Sequence, residues 1–230
     1  MFSLNHSSNT GTTVAYPVPF PSNLYVDDDG NQIMLYIALF FAYRVEKWVK
    51  GAASGVQVGG TCIFCCGVWV DKTKNVYMTA YRGDSITKWS PQTNTSSVVV
   101  SFFIDPRDIH VDETTDSVYV AEVTQNRIRM VSPKAPHGVY VAGATDDSQG
   151  DYASQLRAPQ GIWVDDKTKT VYVADTYNGR IQRWKANAYM GDTIAGSGMH
   201  INSIEFCLMK RRDEVRILET DFFLQLRITQ

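Results

Sequence analysis

One segment recurs four times along this 230-residue chain, and the recurrence restricts the fold more than any other feature of the sequence. The clearest copy is 158–184, APQGIWVDDKTKTVYVADTYNGRIQRW. Residues 104–130 repeat it as IDPRDIHVDETTDSVYVAEVTQNRIRM and residues 64–89 as FCCGVWVDKTKNVYMTAYRGDSITKW. Residues 20–48 carry a looser copy, FPSNLYVDDDGNQIMLYIALFFAYRVEKW. The Val-Asp pairs start at Val26, Val70, Val111 and Val164, so successive units lie 44, 41 and 53 residues apart. A period in this range denotes an array of supersecondary units that bury their apolar faces against one another.

Within a unit the apolar runs are short, β-branched and aromatic. Ile162-Trp163-Val164 is followed by a polar turn, then by Val171-Tyr172-Val173-Ala174, a second turn, and Arg180 to Trp184. A fourth run precedes the next unit, as in Val98-Val99-Val100 and Val139-Tyr140-Val141. Such runs, separated by Asp, Asn, Gly and Thr, are strands rather than helices. No stretch keeps the i, i+3, i+4, i+7 apolar face that helical repeats require. Leucine is too sparse for leucine-rich repeats. Four antiparallel strands in a unit of this length make one blade of a β-propeller, so the chain is expected to be all-β.

The motifs Pro-x-Gly-Ile-x-Val-Asp, Val-Tyr-Val-Ala-Asp and Asn-x-Arg-Ile resemble the NHL-repeat family. In 158–184 the match runs through Pro159, Gly161, Val164, Asp165, Tyr172, Val173, Asp175, Asn178, Arg180 and Ile181. In 104–130 it runs through Pro106, Val111, Asp112, Tyr119, Val120, Glu122, Arg127 and Ile128. The other copies drift: Cys65 replaces the proline in the second, and Leu39 and Ala42 replace the acidic and amide residues in the first. The resemblance implies an NHL-type propeller with four to five blades of an incomplete six-bladed ring. The repeats divide as 20–63, 64–103, 104–157 and 158–198. Residues 1–19 are expected to hold the last strand of a preceding blade, at Thr12 to Ala15. Residues 199–230 read as a degenerate or truncated fifth repeat, with Asp213 to Thr220 aligned on Arg107 to Thr114. An arc of this kind should leave a gap or distorted sector between Val14 and the tail, with strand edges open to self-association.

Hydrophobic residues make up 44% and charged residues 20% of the chain, as in soluble globular proteins. The net charge is −2, and Lys210-Arg211-Arg212 is the longest basic run, which disfavours nucleic acid as a partner. The apolar run Ile33 to Tyr43 is too short to span a bilayer and is read as a buried hairpin. No apolar leader opens the chain. Cys62, Cys65 and Cys66 cluster while Cys207 stands apart. Without a second spaced pair or a nearby His they form no zinc site, and inert, partly buried thiols are preferred to a redox pair. No disulfide framework is indicated, which favours a cytoplasmic location.

Asp71, Asp112 and Asp165, with Asp27 in the loosest copy, end the first strand of each unit. Four carboxylates at one level could ring a metal. Their repetition favours a structural role instead, each accepting backbone N–H groups in its own turn. Tyr25, Trp69, His110 and Trp163 share one place, and Trp48, Trp89 and Trp184 another, with Met130 in the remaining copy. These aromatics are expected between blades. Asp175, Asn178 and Arg180, and likewise Glu122, Gln125 and Arg127, lie at the turn between the second and third strands. They are candidates for a partner-binding rim.

The pattern points to a non-catalytic platform for protein–protein interaction, needing neither metal nor cofactor. The family resemblance implies substrate recognition in a ubiquitin-ligase context, although the chain lacks the Cys/His density of RING and B-box domains. One alternative is a propeller enzyme similar to the peptide-amidating lyase or to hydrolases. Its channel His ligands would have to come from His6, His110, His137 and His200, and no Gly-x-Ser-x-Gly elbow is present. A third reading is single-stranded RNA binding on one face.

Overall fold

The computed structural model describes residues 13–28 and 30–196, together with the backbone of 207–211, 214–218 and 226–229. Four antiparallel units of four strands each arise from the four repeats, in chain order, and are arranged as the blades of a β-propeller; the first is extended by tail strands described below. Blade 1 contains β1 (Pro21–Asp28), β2 (Ile33–Leu39), β3 (Arg44–Val49) and β4 (Val56–Val58). Blade 2 contains β5 (Cys65–Val70), β6 (Val76–Ala80), β7 (Ile86–Ser90) and β8 (Thr95–Val100). Blade 3 contains β9 (Pro106–Asp112), β10 (Ser117–Glu122), β11 (Arg127–Ser132) and β12 (Ala135–Gly143). Blade 4 contains β13 (Pro159–Asp165), β14 (Thr170–Asp175), β15 (Arg180–Trp184) and β16 (Asp192–Gly196). The first strands are innermost, with β1 against β5, β5 against β9 and β9 against β13.

Burial falls off from the inside outwards. Every residue of β5 and β10 is buried, whereas β8 is exposed along five of its six residues. Inner strands therefore carry apolar residues on both faces, because each face meets a neighbouring blade. One spine of rings runs through this core. Tyr25, Trp69, His110 and Trp163 each stand opposite a tyrosine of the second strand: Tyr36, Tyr77, Tyr119 and Tyr172. Ring centroids are 5.0 Å apart for Tyr25 and Trp69, 4.2 Å for Trp69 and His110, and 6.5 Å for His110 and Trp163. Trp69, Trp163, Trp184 and Trp48 are buried, while Trp89 is half-buried.

The register corrects one alignment. Trp184 pairs with Val171, Trp89 with Val76 and Trp48 with Leu35; in blade 3 the same place, opposite Val118, belongs to Val131 and not to Met130. The two ends of the chain also differ from expectation. Residues 13–15 form no strand, and Ala15 and Val18 pack on Leu35, Ile37, Leu39 and Trp48 of blade 1; Thr12 lies outside the described residues. The tail strands β17 (Cys207–Arg211), β18 (Glu214–Leu218) and β19 (Leu226–Thr229) do not form a separate sheet. β17 adds to β1 in parallel, with Tyr25 opposite Lys210 and Val26 opposite Arg211, and it also lies against β13. The sector between blades 4 and 1 is thus distorted rather than vacant.

Candidate functional site

The first-to-second and second-to-third strand turns sit at opposite ends of the second strand, so they emerge on opposite faces of the propeller. The first face is built by the repeated aspartates. Asp71 Oδ1 accepts the N–H groups of Thr73 and Asn75, both at 2.9 Å. Asp112 Oδ1 accepts that of Thr114 at 2.9 Å, and Asp165 Oδ1 accepts those of Lys167 at 2.9 Å and Thr168 at 3.2 Å. Each carboxylate closes its own hairpin. Two lysines in left-handed backbone then tie adjacent blades together. Lys74 Nζ stands 2.6 Å from Asp27 Oδ2 of blade 1, and Lys169 pairs with Asp112 of blade 3. Burial alone would raise the Asp112 carboxyl, but Lys169, Thr114 and Thr115 outweigh it and bring it down to about 2. Among the described residues, no group of three or more His, Cys, Asp or Glu side chains is placed to hold a metal.

The centre is filled by side chains that satisfy inner-strand edges. Asp108 Oδ2 accepts the Ile162 N–H at 2.7 Å, and His110 Nδ1 accepts the Val164 N–H at 3.3 Å. With Nδ1 accepting, Nε2 carries the proton and faces Asp166 Oδ1 at 2.9 Å. Both ring nitrogens of this buried histidine are therefore committed to blade 4. Asn23 Nδ2 donates to Asp108 Oδ1 at 3.0 Å, linking blade 1 directly to blade 3.

The second face is divided. In blades 3 and 4 a buried carboxylate organises each second-to-third strand turn. Glu122 Oε2 holds Arg127 Nε at 2.9 Å, and its Oε1 holds Arg129 Nη2 at 3.0 Å. Asp175 Oδ2 holds Arg180 Nε at 2.7 Å and Asn178 Nδ2 at 2.8 Å. Arg180 also donates to the carbonyls of Asp151 at 2.6 Å, Tyr152 at 3.1 Å and Gln155 at 3.0 Å, so it pins the preceding loop. Glu122, Arg127, Asp175, Asn178 and Arg180 are all buried, and of the six candidate rim residues only Gln125 is half-buried. Those five side chains serve the interior of the turns. The outward-facing residues beside them are Thr124 and Tyr177.

In blades 1 and 2 the carboxylate is missing. Leu39 and Ala80 occupy the places of Asp175, opposite Pro21 and Cys65 as Asp175 is opposite Pro159. Aromatic rings gather at these turns instead, and in blade 1 Arg44, at the place of Arg180, pairs with Glu46 at 2.7 Å. Phe41 contacts Phe20 at 5.1 Å and Phe40 at 4.9 Å; Phe64 contacts Phe40 at 5.1 Å and Tyr43 at 5.2 Å; Tyr81 lies 6.2 Å from Phe40. Arg107 stands over Phe40 and Arg82 over Tyr81. Much of this cluster faces solvent: Phe20 is 65% exposed, Phe41 56% and Ile63 61%. Phe102, at the start of the next loop, is 82% exposed. The apolar run Ile33 to Tyr43 is accordingly buried only along β2, and its second half surfaces.

The backbone beneath these rings is unusual. The residue before each inner strand has positive φ: 50° at Phe20, 52° at Phe64, 46° at Asp105 and 47° at Ala158. The turn position filled by Gly179 at 57° and Asn126 at 53° is Tyr43 in blade 1, at 56°. Left-handed backbone suits Gly, Asn and Asp; bulky residues there are strained and cluster at functional sites. Blades 1 and 2 thus hold phenylalanine and tyrosine where blades 3 and 4 use unstrained or smaller residues.

A disulfide joins Cys62 to Cys65 and closes the loop that presents Ile63 and Phe64. This corrects the reading of inert thiols and removes the premise of the cytoplasmic argument. The cysteine cluster and the loss of the turn carboxylate were both visible in the sequence, but not that they bring exposed rings together on one face. Cys66 stays free and buried, its thiol pushed up to about 11 by burial.

No protein-family model matches the sequence, and no curated protein matches it. Solved structures of the same architecture do. A structural genomics protein of unknown function from Bacteroides thetaiotaomicron VPI-5482 aligns with a TM-score of 0.66 at 14% identity over 94% of this chain. An auxiliary nutrient binding protein from the same organism aligns with a TM-score of 0.57 at 12% identity over 76% of this chain. The chain spans 60% and 47% of those two structures. At such identities the likeness is one of fold. No helix among the described residues is long and apolar enough to cross a membrane.

Proposed function

We propose that the chain is a non-catalytic propeller platform that docks a partner protein on the aromatic half of its second face. The observation that carries this reading is the cluster of Phe20, Phe40, Phe41, Tyr43 and Phe64 at the turns of blades 1 and 2, where blades 3 and 4 have buried carboxylate–arginine pairs. A purely structural residue follows the repeat, as the aspartates of the first face do. Phe20, Tyr43 and Phe64 break it at left-handed positions that suit glycine or asparagine, and Phe41 packs against Phe20 and Phe40 beside them. Contiguous exposed apolar surface rimmed by charge marks an interaction site, and aromatic residues dominate the energetics of such sites. Arg82 and Arg107 at the edge suit a partner segment that carries apolar anchors flanked by Asp or Glu. The resemblance to NHL repeats supports the same class of role, and substrate presentation to a ubiquitin ligase carried on another chain is one form it would take. A photocrosslinking residue at position 41 should capture a defined partner that is lost on Phe20→Ser or Tyr43→Ser. A crosslinker at position 177 should not capture it. Capture at 177 but not at 41 would assign binding to the other half of the face and sink the proposal.

A further inference from the structure

The aromatic half-face leaves unexplained a separate groove of 330 Å³ between the outer part of blade 3 and the 185–191 loop of blade 4. Its floor includes Trp184. The tryptophan at this register donates to Glu46 Oε2 at 3.0 Å in blade 1 and to Asn94 Oδ1 at 3.3 Å in blade 2. In blade 4 the indole N–H of Trp184 has no acceptor among the described residues, although the ring is buried. Two residues earlier Gln182 stands where blade 1 has Glu46, so the acceptor that serves the blade 1 indole is replaced by an amide that does not bond Trp184 among the described residues. Buried polar groups are ordinarily satisfied, so the unpartnered Trp184 N–H in the groove lining points to an acceptor from outside the chain. A Cβ at Gly191 would stand 2.6 Å from the Trp184 nitrogen, so a larger residue there would crowd the indole N–H.

The mouth carries two tyrosines. Tyr189 is 79% exposed, and Tyr140 is held from behind by the Arg127 guanidinium, 4.0 Å from its ring centroid. Hydroxyls of Thr145, Ser148 and Ser154 lie along the wall, and Asp146 is the one charged side chain in the lining. Rings flanking a small cleft with hydroxyl and carboxylate acceptors match a ligand that is apolar on its faces and hydroxylated at its rim. The absence of Lys, Arg and His from the lining disfavours an anion. From this geometry we propose that the groove between blades 3 and 4 is a binding site for a neutral saccharide of one or two residues. The volume falls at the lower end of ligand pockets, consistent with a small ligand. Tyr140 and Tyr189 supply stacking surfaces, and the Trp184 N–H supplies a buried hydrogen-bond donor that fixes orientation.

The test uses the full chain on an array of neutral glycans, with calorimetry on hits and with glucuronate and choline as charged controls. A neutral mono- or disaccharide should bind saturably. Tyr189→Ala, a surface change, should weaken it tenfold or more. Trp184→Phe, which keeps a ring but removes the N–H, should weaken it similarly, while Phe41→Ser should leave it unchanged. That last variant separates this site from the partner platform. Absence of any neutral glycan ligand, a preference for choline or glucuronate, or binding indifferent to Tyr189→Ala would each overturn the assignment.

Discussion

Asp112 shows how one side chain serves local structure, packing between blades and stability together. It closes its own turn through Thr114 and Thr115, and it binds Lys169 of the next blade while itself fully buried. Its folded pKa of about 2 lies below the ordinary 3.8. A depressed carboxyl contributes stability above its unfolded pKa and loses it as the pH falls through the folded value. The contribution, about 2 kcal/mol, is therefore complete above pH ~4 and disappears towards pH ~2. Acid unfolding of Asp112→Asn should show a shallower loss over that window than the unaltered chain. Identical acid limbs would mean that Lys169 does not engage the carboxylate in solution. The hairpin role of this residue is legible in the sequence, since an Asp two residues before a Thr-rich turn has a local use. The reach of Lys169 is not, because it depends on how two blades face each other.

At the scale of elements the informative comparison is between equivalent turns. The turn of β14 and β15 and that of β10 and β11 are organised by buried carboxylate–arginine pairs, so residues with a binding chemistry spend it internally. Their motif is visible in the sequence, but its burial is not: Asp, Asn and Arg at a turn read equally as an exposed rim. The turns of blades 1 and 2 deviate from the motif, and that deviation is where surface chemistry becomes available. Strain of the same kind in the loop after blade 2 has a measurable consequence. Phe102 has φ of 70° and is 82% exposed, so its ring makes little of the contact that would offset an unfavourable backbone. Phe102→Asn should raise the stability of the fold by about 1 kcal/mol, read as a higher denaturation midpoint. A lower midpoint would show that the ring is packed in solution and that the strain argument fails there.

For the whole molecule the decisive element is β17. Inner strands β5 to β13 have their edges covered by side chains from neighbouring blades, as Asp108 and His110 cover Ile162 and Val164. β1 instead receives a parallel strand from the tail. Parallel pairing needs a distant segment and a long connection, so no local signal announces it. Removing residues 197–230 should expose the β1 edge and drive concentration-dependent association in light scattering, since an uncovered strand edge is a template for pairing with another chain. A truncated chain that stays monomeric at high concentration would show that β17 is dispensable to that edge.

Periodicity, strand composition and turn chemistry by themselves determined that this chain forms antiparallel blades, where each blade begins, and which aromatics lie between them. Those properties follow from contacts within one repeat or between adjacent repeats, and a repeating pattern writes them many times over. Tertiary structure alone decided that five of the six polar turn residues are buried, that Cys62 and Cys65 are joined, that Phe41 and Ile63 surface together, and that the tail pairs with β1. Each of those outcomes depends on which segments distant in sequence come to share one face or one edge, and side-chain type is silent about that until the blades are stacked.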